Sequence, residues 1–244
     1  MYTTKCRLAD FNVSFDSDIR SLDKILRDYL CDFDDADFSI GISDKDVELE
    51  KEFSKDEGPN VFLTTYKVAA LFRKLADQLP PKDTFVMHSA CFDVGGVGVA
   101  FAAHSGTGKT THMGLWQQYL GEKMVVVNGD KPIIRFFPEE PDVPYAYGSP
   151  WNGKEHFGCN MRTKLKHICF IERSETNYVE KVDKKSAVDR IMKQVYMPQD
   201  PAKIVKTMQL IDKLFGCCDL WIIHCNMDPE AAEVAYNTIF GTDK

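Results

Sequence analysis

The stretch Ala103-His104-Ser105-Gly106-Thr107-Gly108-Lys109-Thr110-Thr111 decides how the rest of the chain is read. It fits the phosphate-loop pattern G-x-x-x-x-G-K-[ST] except at the first position, where Ala103 stands in place of glycine. Gly106 and Gly108 allow the backbone to fold over a polyphosphate with its N–H groups inward, and a helix opening near Lys109 adds the positive end of its dipole. Lys109 then neutralises the β- and γ-phosphates of a nucleotide, and Thr110 offers a hydroxyl to Mg²⁺, a hard cation that prefers oxygen ligands. The alternative is a plain glycine turn with a solvated lysine. The β-like run Val97 to Ala103 before the loop and the helical pattern after it supply the context that the motif requires.

Working outward, Phe85 to Val94 and Val97 to Ala103 read as two strands joined by Gly95-Gly96, a hairpin pair. After the loop a helix runs from Lys109 to about Tyr119 and stops at Gly121, followed by the strand Met124 to Val127 and the turn Asn128-Gly129-Asp130. An acid at that strand end is placed to hold the metal of a bound nucleotide, so Asp130 is assigned that role; otherwise it is a turn residue. Further strands are predicted at 133–137, 145–148, 167–171, 178–182 and 220–225. Helices are predicted up to Val195 and after Pro201, and a last one opens at Asp228-Pro229.

Upstream, Val68, Leu71, Phe72, Leu75 and Leu79 share a helical face, with Thr64 or Thr65 to cap it and Pro80-Pro81 to stop it. Residues 5–15 read as one strand, Ile19 to Leu30 as a helix, and Phe38 to Ile42 as a short strand. The acidic run from Asp32 to Glu57 reads as a solvated face, closed by the loop signal Gly58-Pro59. The expected architecture is α/β: a mixed parallel and antiparallel sheet with packed helices over 64–244, preceded by a small α+β region over 1–63.

The segments Met87-His88-Ser89-Ala90, Ser105 to His112 with Leu115-Trp116, Asn128-Gly129-Asp130-Lys131-Pro132 and Tyr147-Gly148-Ser149-Pro150-Trp151 resemble the nucleotide-binding core shared by HPr kinase/phosphorylase and ATP-dependent phosphoenolpyruvate carboxykinases, most of all its small bacterial HPr-kinase-like members. The resemblance runs from about residue 64 to the end. It implies a kinase using ATP and Mg²⁺, with Ser105, Gly106, Thr107, Gly108, Lys109, Thr110 and Thr111 around the phosphates. It also implies that His88 lies beside the γ-phosphate, where it would hold a second divalent metal such as Mn²⁺; the residues alone read His88 as a core histidine. Both families carry two consecutive acids where this chain has Gly129-Asp130, so Asp130 or His88 is left to accept the proton of a hydroxyl acceptor. Phosphoryl transfer leans more on positioning and charge neutralisation than on a strong base.

Arg135, Lys154, Arg162 and Arg173 are candidates to hold the acceptor or the γ-phosphate, since a guanidinium matches phosphate oxygens bidentately. Trp151 to Lys154, a polar loop flanked by Pro and Gly with an exposed aromatic, is the candidate acceptor-facing loop. The acceptor is a serine of a protein or peptide or a small metabolite; a non-catalytic nucleotide sensor is the competing reading. A carboxykinase is disfavoured because no separate substrate domain precedes residue 64.

Composition sets the outer limits. With 44% hydrophobic and 27% charged residues, the 244-residue chain has the balance of a folded globular protein. A net charge of −7 without a basic stripe argues against nucleic acid as a partner. No stretch reaches the roughly 18 apolar residues of a membrane span, and eight cysteines without a CxxC pair suggest reduced thiols, so a cytoplasmic protein is expected. Oligomer formation is compatible with all of this.

Overall fold

In the computed structural model, residues 1–53, 61–104, 106–153 and 155–241 are described. The chain opens with a hairpin of β1 (Tyr2–Leu8) and β2 (Phe11–Ser17), paired from Tyr2 with Ser17 to Leu8 with Phe11. The sequence predicts a single strand here, because its turn residues, Ala9 and Asp10, carry no glycine signal. Both sit at positive φ (48° and 63°), the backbone a two-residue hairpin turn demands. Asp10 is held in place by the Tyr147 hydroxyl, which donates to it, and by Arg162 Nη1 at 3.1 Å.

The helix predicted over 19–30 shortens to α1 (Leu22–Ile25) and a 3₁₀ turn at Arg27–Tyr29; β3 (Phe38–Gly41) then pairs parallel with β2. The acidic run is more than a solvated face, since part of it forms α2 (Asp44–Phe53). Asp46 Oδ2 accepts from both the N–H and the hydroxyl of Ser43 at 2.7 Å, the half of a capping box in which the third-position acid reaches back to the N-cap. Glu50 is buried and is ion-paired with Arg73 on the following helix, α3 (Leu63–Gln78). The predicted Gly58-Pro59 loop lies outside the described residues.

Residues 85–94, expected as one strand, divide into β4 (Thr84–Val86) and β5 (Ala90–Val94). At the break, His88 N–H donates to Gln194 O (2.6 Å) and Ser89 N–H to Asp130 O (2.8 Å), so tertiary bonds replace the ladder. The turn from β5 to β6 (Val97–Ala102) falls at Gly95-Gly96, both at positive φ, as the sequence predicts. There follow α4 (Lys109–Leu120), β7 (Met124–Asn128), β8 (Ile133–Arg135), β9 (Tyr145–Tyr147), β10 (Arg162–Arg173), β11 (Tyr178–Lys181), α5 (Lys184–Met192), α6 (Pro201–Cys217), β12 (Asp219–Cys225) and α7 (Glu230–Gly241).

The main sheet runs β7-β5-β6-β10-β12-β11, with β6, β10 and β12 parallel and the outer strands antiparallel. The first residues of the long β10 pair antiparallel with β9, which carries β8 and β4 in a three-stranded extension. Alternation along β6 shows why helices cover both faces. Val99 and Phe101 pack with Trp116 of α4 and Ala235 of α7, while Ala100 and Ala102 pack with Ile191 of α5 and Leu214 of α6. Asp200 caps α6, its Oδ1 accepting from Ala202 N (2.8 Å) and Lys203 N (3.1 Å), with Pro201 at the first helical position.

The apolar face of the N-terminal sheet shares one cluster with α3 and with Val86, Ile133, Tyr145 and Tyr147. Arg135 pins this junction. Its guanidinium lies 3.9 Å over the ring of Phe11 and 4.5 Å over that of Phe137, and it donates to Ala9 O. Replacing Arg135 with Met is expected to cost about 2–3 kcal/mol in urea denaturation, from a lost charge-assisted hydrogen bond and cation–π contact. Amide exchange should accelerate selectively in β1 and β2; uniform exchange across the chain would contradict the pinning role.

Candidate functional site

The glycine loop leaves the carboxyl end of β6 and runs into α4. Gly106 (φ 76°) and Gly108 (φ 126°) have open space where a Cβ would sit, so the backbone angle, not crowding, requires glycine there. Gly108 is also the N-cap of α4 and supplies no side-chain cap, which leaves the amides of the first turn without that partner. Behind the loop, Arg173 at the end of β10 donates to the carbonyls of Gly106 and Thr107 (3.1 Å to Thr107 O). Across a trans peptide the C=O and the next N–H point oppositely, so this grip turns the Gly108 N–H away from Arg173. Arg173 therefore braces the loop through its carbonyls.

Lys109 is 8% exposed and folds back to donate from Nζ to Ala103 O at 2.7 Å. Burial pushes its ammonium pKa down, and the nearby Asp130 carboxylate pulls it back up. Asp130 itself sits on a turn built by the fully buried Asn128. Asn128 Oδ1 accepts from the N–H groups of Asp130 (2.8 Å) and Lys131 (2.6 Å), and its Nδ2 donates to Ser149 O (3.0 Å) and Ser149 Oγ (3.1 Å).

His88 Nε2 lies 3.1 Å from Asp130 Oδ1, and Lys131 Nζ lies 2.6 Å from Oδ2. Burial works to raise the Asp130 pKa, but the His88 hydrogen bond and the Lys131 ammonium outweigh it and hold the carboxyl far below the ordinary range. On the other side of His88 stands the buried Gln194. With its amide nitrogen turned to the acceptors around it, Gln194 reaches Ala103 O (3.0 Å), His88 O (3.2 Å) and His88 Nδ1 (3.3 Å). An accepting Nδ1 leaves the imidazole proton on Nε2, facing Asp130. Gln194 carries no motif signal and is legible only in three dimensions.

A cleft of about 590 Å³ gathers His88, Gly106, Gly108, Lys109, Thr110, Thr111, Gly129, Asp130, Lys131, Gly153 and Glu155. Residues taken from four parts of the sequence thus meet at one opening. Ser105 and Lys154 lie outside the described residues. Trp151, expected as an exposed aromatic, is half-buried: its ring packs 5.7 Å from that of Phe72, with Lys131 Nζ 4.9 Å above it. Arg135 and Arg162 are engaged away from the cleft, Arg135 as described and Arg162 with Asp10 and the Tyr147 hydroxyl (2.8 Å) at the opposite end of β10. Neither guanidinium lines the cleft, and both serve the junction with the N-terminal hairpin.

The glycine at 129 has a steric reason. A Cβ there would lie 3.2 Å from both Phe157 Cβ and Phe157 O and 3.4 Å from Asn152 O, because the 152–157 loop folds over this turn. The loop is anchored by Gly129 N–H donating to Phe157 O at 2.8 Å. Gly153, at φ 80°, passes close enough to Asp130 that its own Cβ would sit 3.2 Å from that of Asp130. Glu155, on the same loop, joins the cleft wall and was not singled out by any sequence pattern.

No protein-family model matches the chain, and no curated protein does. Among solved structures, an HPr(Ser) kinase/phosphatase from Coxiella burnetii aligns with 65% of this chain and 92% of its own, at 7% identity and a TM-score of 0.37. This chain's own main sheet is mixed parallel and antiparallel. Among the described residues no helix is long and apolar enough to cross a membrane, and the cysteines are free.

Two outcomes test the site's construction. Gly129→Asp forces a side chain against Phe157 and should lower unfolding free energy by about 1–3 kcal/mol, measured by denaturant titration. Unchanged stability would show that the loop does not rest there as described. The second concerns His112, whose Nε2 accepts from Trp116 Nε1 (3.3 Å) and whose pKa is pushed down to about 4 by burial. The proton binds the unfolded chain more tightly, so stability is full above pH 6.5, falls as pH drops toward 4, and then levels off. Between pH 7 and 4 the wild type should lose about 2–4 kcal/mol more than His112→Phe; parallel losses would contradict a buried neutral imidazole.

Proposed function

We propose that the protein binds ATP with Mg²⁺ on the glycine loop and transfers the γ-phosphate to a hydroxyl, either of a serine in a protein or peptide or of a small metabolite. The observation that carries this reading is the meeting of Lys109, the uncapped first turn of α4 and the His88–Asp130 pair at one cleft. Main-chain donors and a buried ammonium converge where a polyphosphate would place its oxygens. A phosphate oxygen would offset the burial that now depresses the Lys109 pKa.

The donor set also suits the metal. Among the described residues no group of three or more His, Cys, Asp or Glu side chains forms a closed cage. Mg²⁺ needs none, since it keeps waters and takes nucleotide oxygens alongside one or two protein oxygens, here Thr110 and Asp130. Bound there, the ion would neutralise charge on the transferring phosphoryl group. A second ion such as Mn²⁺ on His88 would have to displace the Nε2 proton that faces Asp130. Thr107 and Thr111 complete the proposed phosphate contacts, with Ser105 assigned by the sequence pattern alone.

A non-catalytic nucleotide sensor is the second reading, favoured by the fact that both oxygens of Asp130 already hold partners, His88 and Lys131. Isothermal titration separates the outcomes. MgATP should bind, and Lys109→Ala should weaken binding by about 10- to 100-fold, the value of a charge-assisted contact. Phosphate release or transfer above the Lys109→Ala control supports the transferase; binding without either supports the sensor. The absence of heat on mixing with MgATP would end both.

A further inference from the structure

We infer that Glu155 is the catalytic base that takes the proton from the acceptor hydroxyl. The inference rests on the nucleotide-binding reading above and adds to it the group that activates the acceptor. Its ground is that the other acids and bases lining the cleft are already held by neighbouring side chains or carbonyls. Asp130 offers Oδ1 to His88 and Oδ2 to Lys131. His88 turns its Nε2 proton to Asp130 and its Nδ1 to Gln194, so both nitrogens are committed. Lys109 and Lys131 are cations resting on Ala103 O and Asp130. Glu155 alone among the acids and bases lining the cleft makes no hydrogen bond or ion pair with any described residue.

Its position is set by the backbone. Gly153, in the left-handed region at φ 80°, brings the loop down onto Asp130, and the point where a Gly153 Cβ would stand is 3.2 Å from Asp130 Cβ and 3.5 Å from Glu155 Oε2. The two carboxyl groups therefore flank the same point at the mouth of the cleft. Asp130 is half-buried and held by His88 and Lys131, whereas Glu155 is exposed and makes no hydrogen bond or ion pair with a described residue. That division suits two different tasks, charge holding for Asp130 and proton acceptance for Glu155.

In the step itself, the acceptor O–H gives its proton to a Glu155 carboxylate oxygen as the acceptor oxygen bonds the γ-phosphorus. The bond from that phosphorus to the β–γ bridging oxygen breaks, and ADP leaves with the electron pair. The proton on Glu155 then passes to solvent, returning the carboxylate.

Water serves as the probe acceptor, in single-turnover hydrolysis of MgATP by the full chain, with calorimetric MgATP binding and the thermal midpoint as controls. Glu155→Gln should bind MgATP within about twofold of wild type and melt at the same temperature, while phosphate release falls by about 100-fold or more. Three results overturn the inference: undiminished hydrolysis by Glu155→Gln, loss of MgATP binding in that variant, or a wild type that binds MgATP without hydrolysing it. A wild type that binds no MgATP is a different failure, that of the nucleotide reading itself.

Discussion

The geometry of the cleft depends on a single buried amide. Asn128 closes four hydrogen bonds at the end of β7, two received by Oδ1 from the turn that carries Asp130 and two given by Nδ2 to Ser149. An asparagine can make about four such bonds, and a buried polar group left short of partners costs free energy in proportion to what it lacks. The backbone that carries Asp130 is thus locked to a core residue, while its carboxylate is held by His88 and Lys131. Ser149 extends the lock, since its Oγ donates to Lys131 O (2.8 Å) and accepts from Trp151 N–H (3.2 Å). The strand end, the Asp130 turn and the segment entering the 152–157 loop therefore move as one unit.

Charge placement follows from that lock. Lys131 and His88 are drawn to a carboxylate whose orientation is already decided, and Gln194 ties His88 to Ala103 O, the acceptor that Lys109 also uses. The end of β6 and the end of β7 are in this way joined through side chains across β5, which lies between them in the sheet. Arg173 adds a brace from the opposite side of the loop. Preorganised donors of this kind need little rearrangement to meet an anion, the property that makes a polar site effective in phosphoryl transfer.

Much of this was legible in the sequence, for identifiable reasons. The glycine hairpin at Gly95-Gly96, the helix stopped by Pro80-Pro81 and the helix that follows Pro201 all carry local signals that tertiary structure did not override. The Ala9-Asp10 turn was illegible because two non-glycine residues occupy the left-handed region, held by Tyr147 and Arg162 from far along the chain. Helix α2 was hidden by its charge, as Glu50 reads as solvated until Arg73 is seen beside it. The break at Met87 to Ser89 arises from hydrogen bonds to Gln194 and Asp130, which no local pattern announces. Arg135, Arg162 and Trp151 show the same limit. A guanidinium or an indole is chemically suited to a ligand and to an aromatic stack, and only the neighbours, Phe11 and Phe137, Tyr147, or Phe72, decide between them.

Gly129 is the position where sequence comparison and physical reasoning part. Read against the resembled families it is a missing acid; in the fold it is the clearance that lets Phe157 and Asn152 close over the turn. A side chain at 129 would press on Phe157 and Asn152, which would have to give by a few tenths of an ångström to admit it. Filling that space with a loop shields the Asp130 turn on one side and brings Gly153 against it, which in turn presents Glu155 at the cleft mouth. An acid on the strand end would share the rigidity and the donor network of Asp130, and like charges so close would raise the pKa of one of them. An acid on the loop stays exposed and does not compete for the donors that hold Asp130.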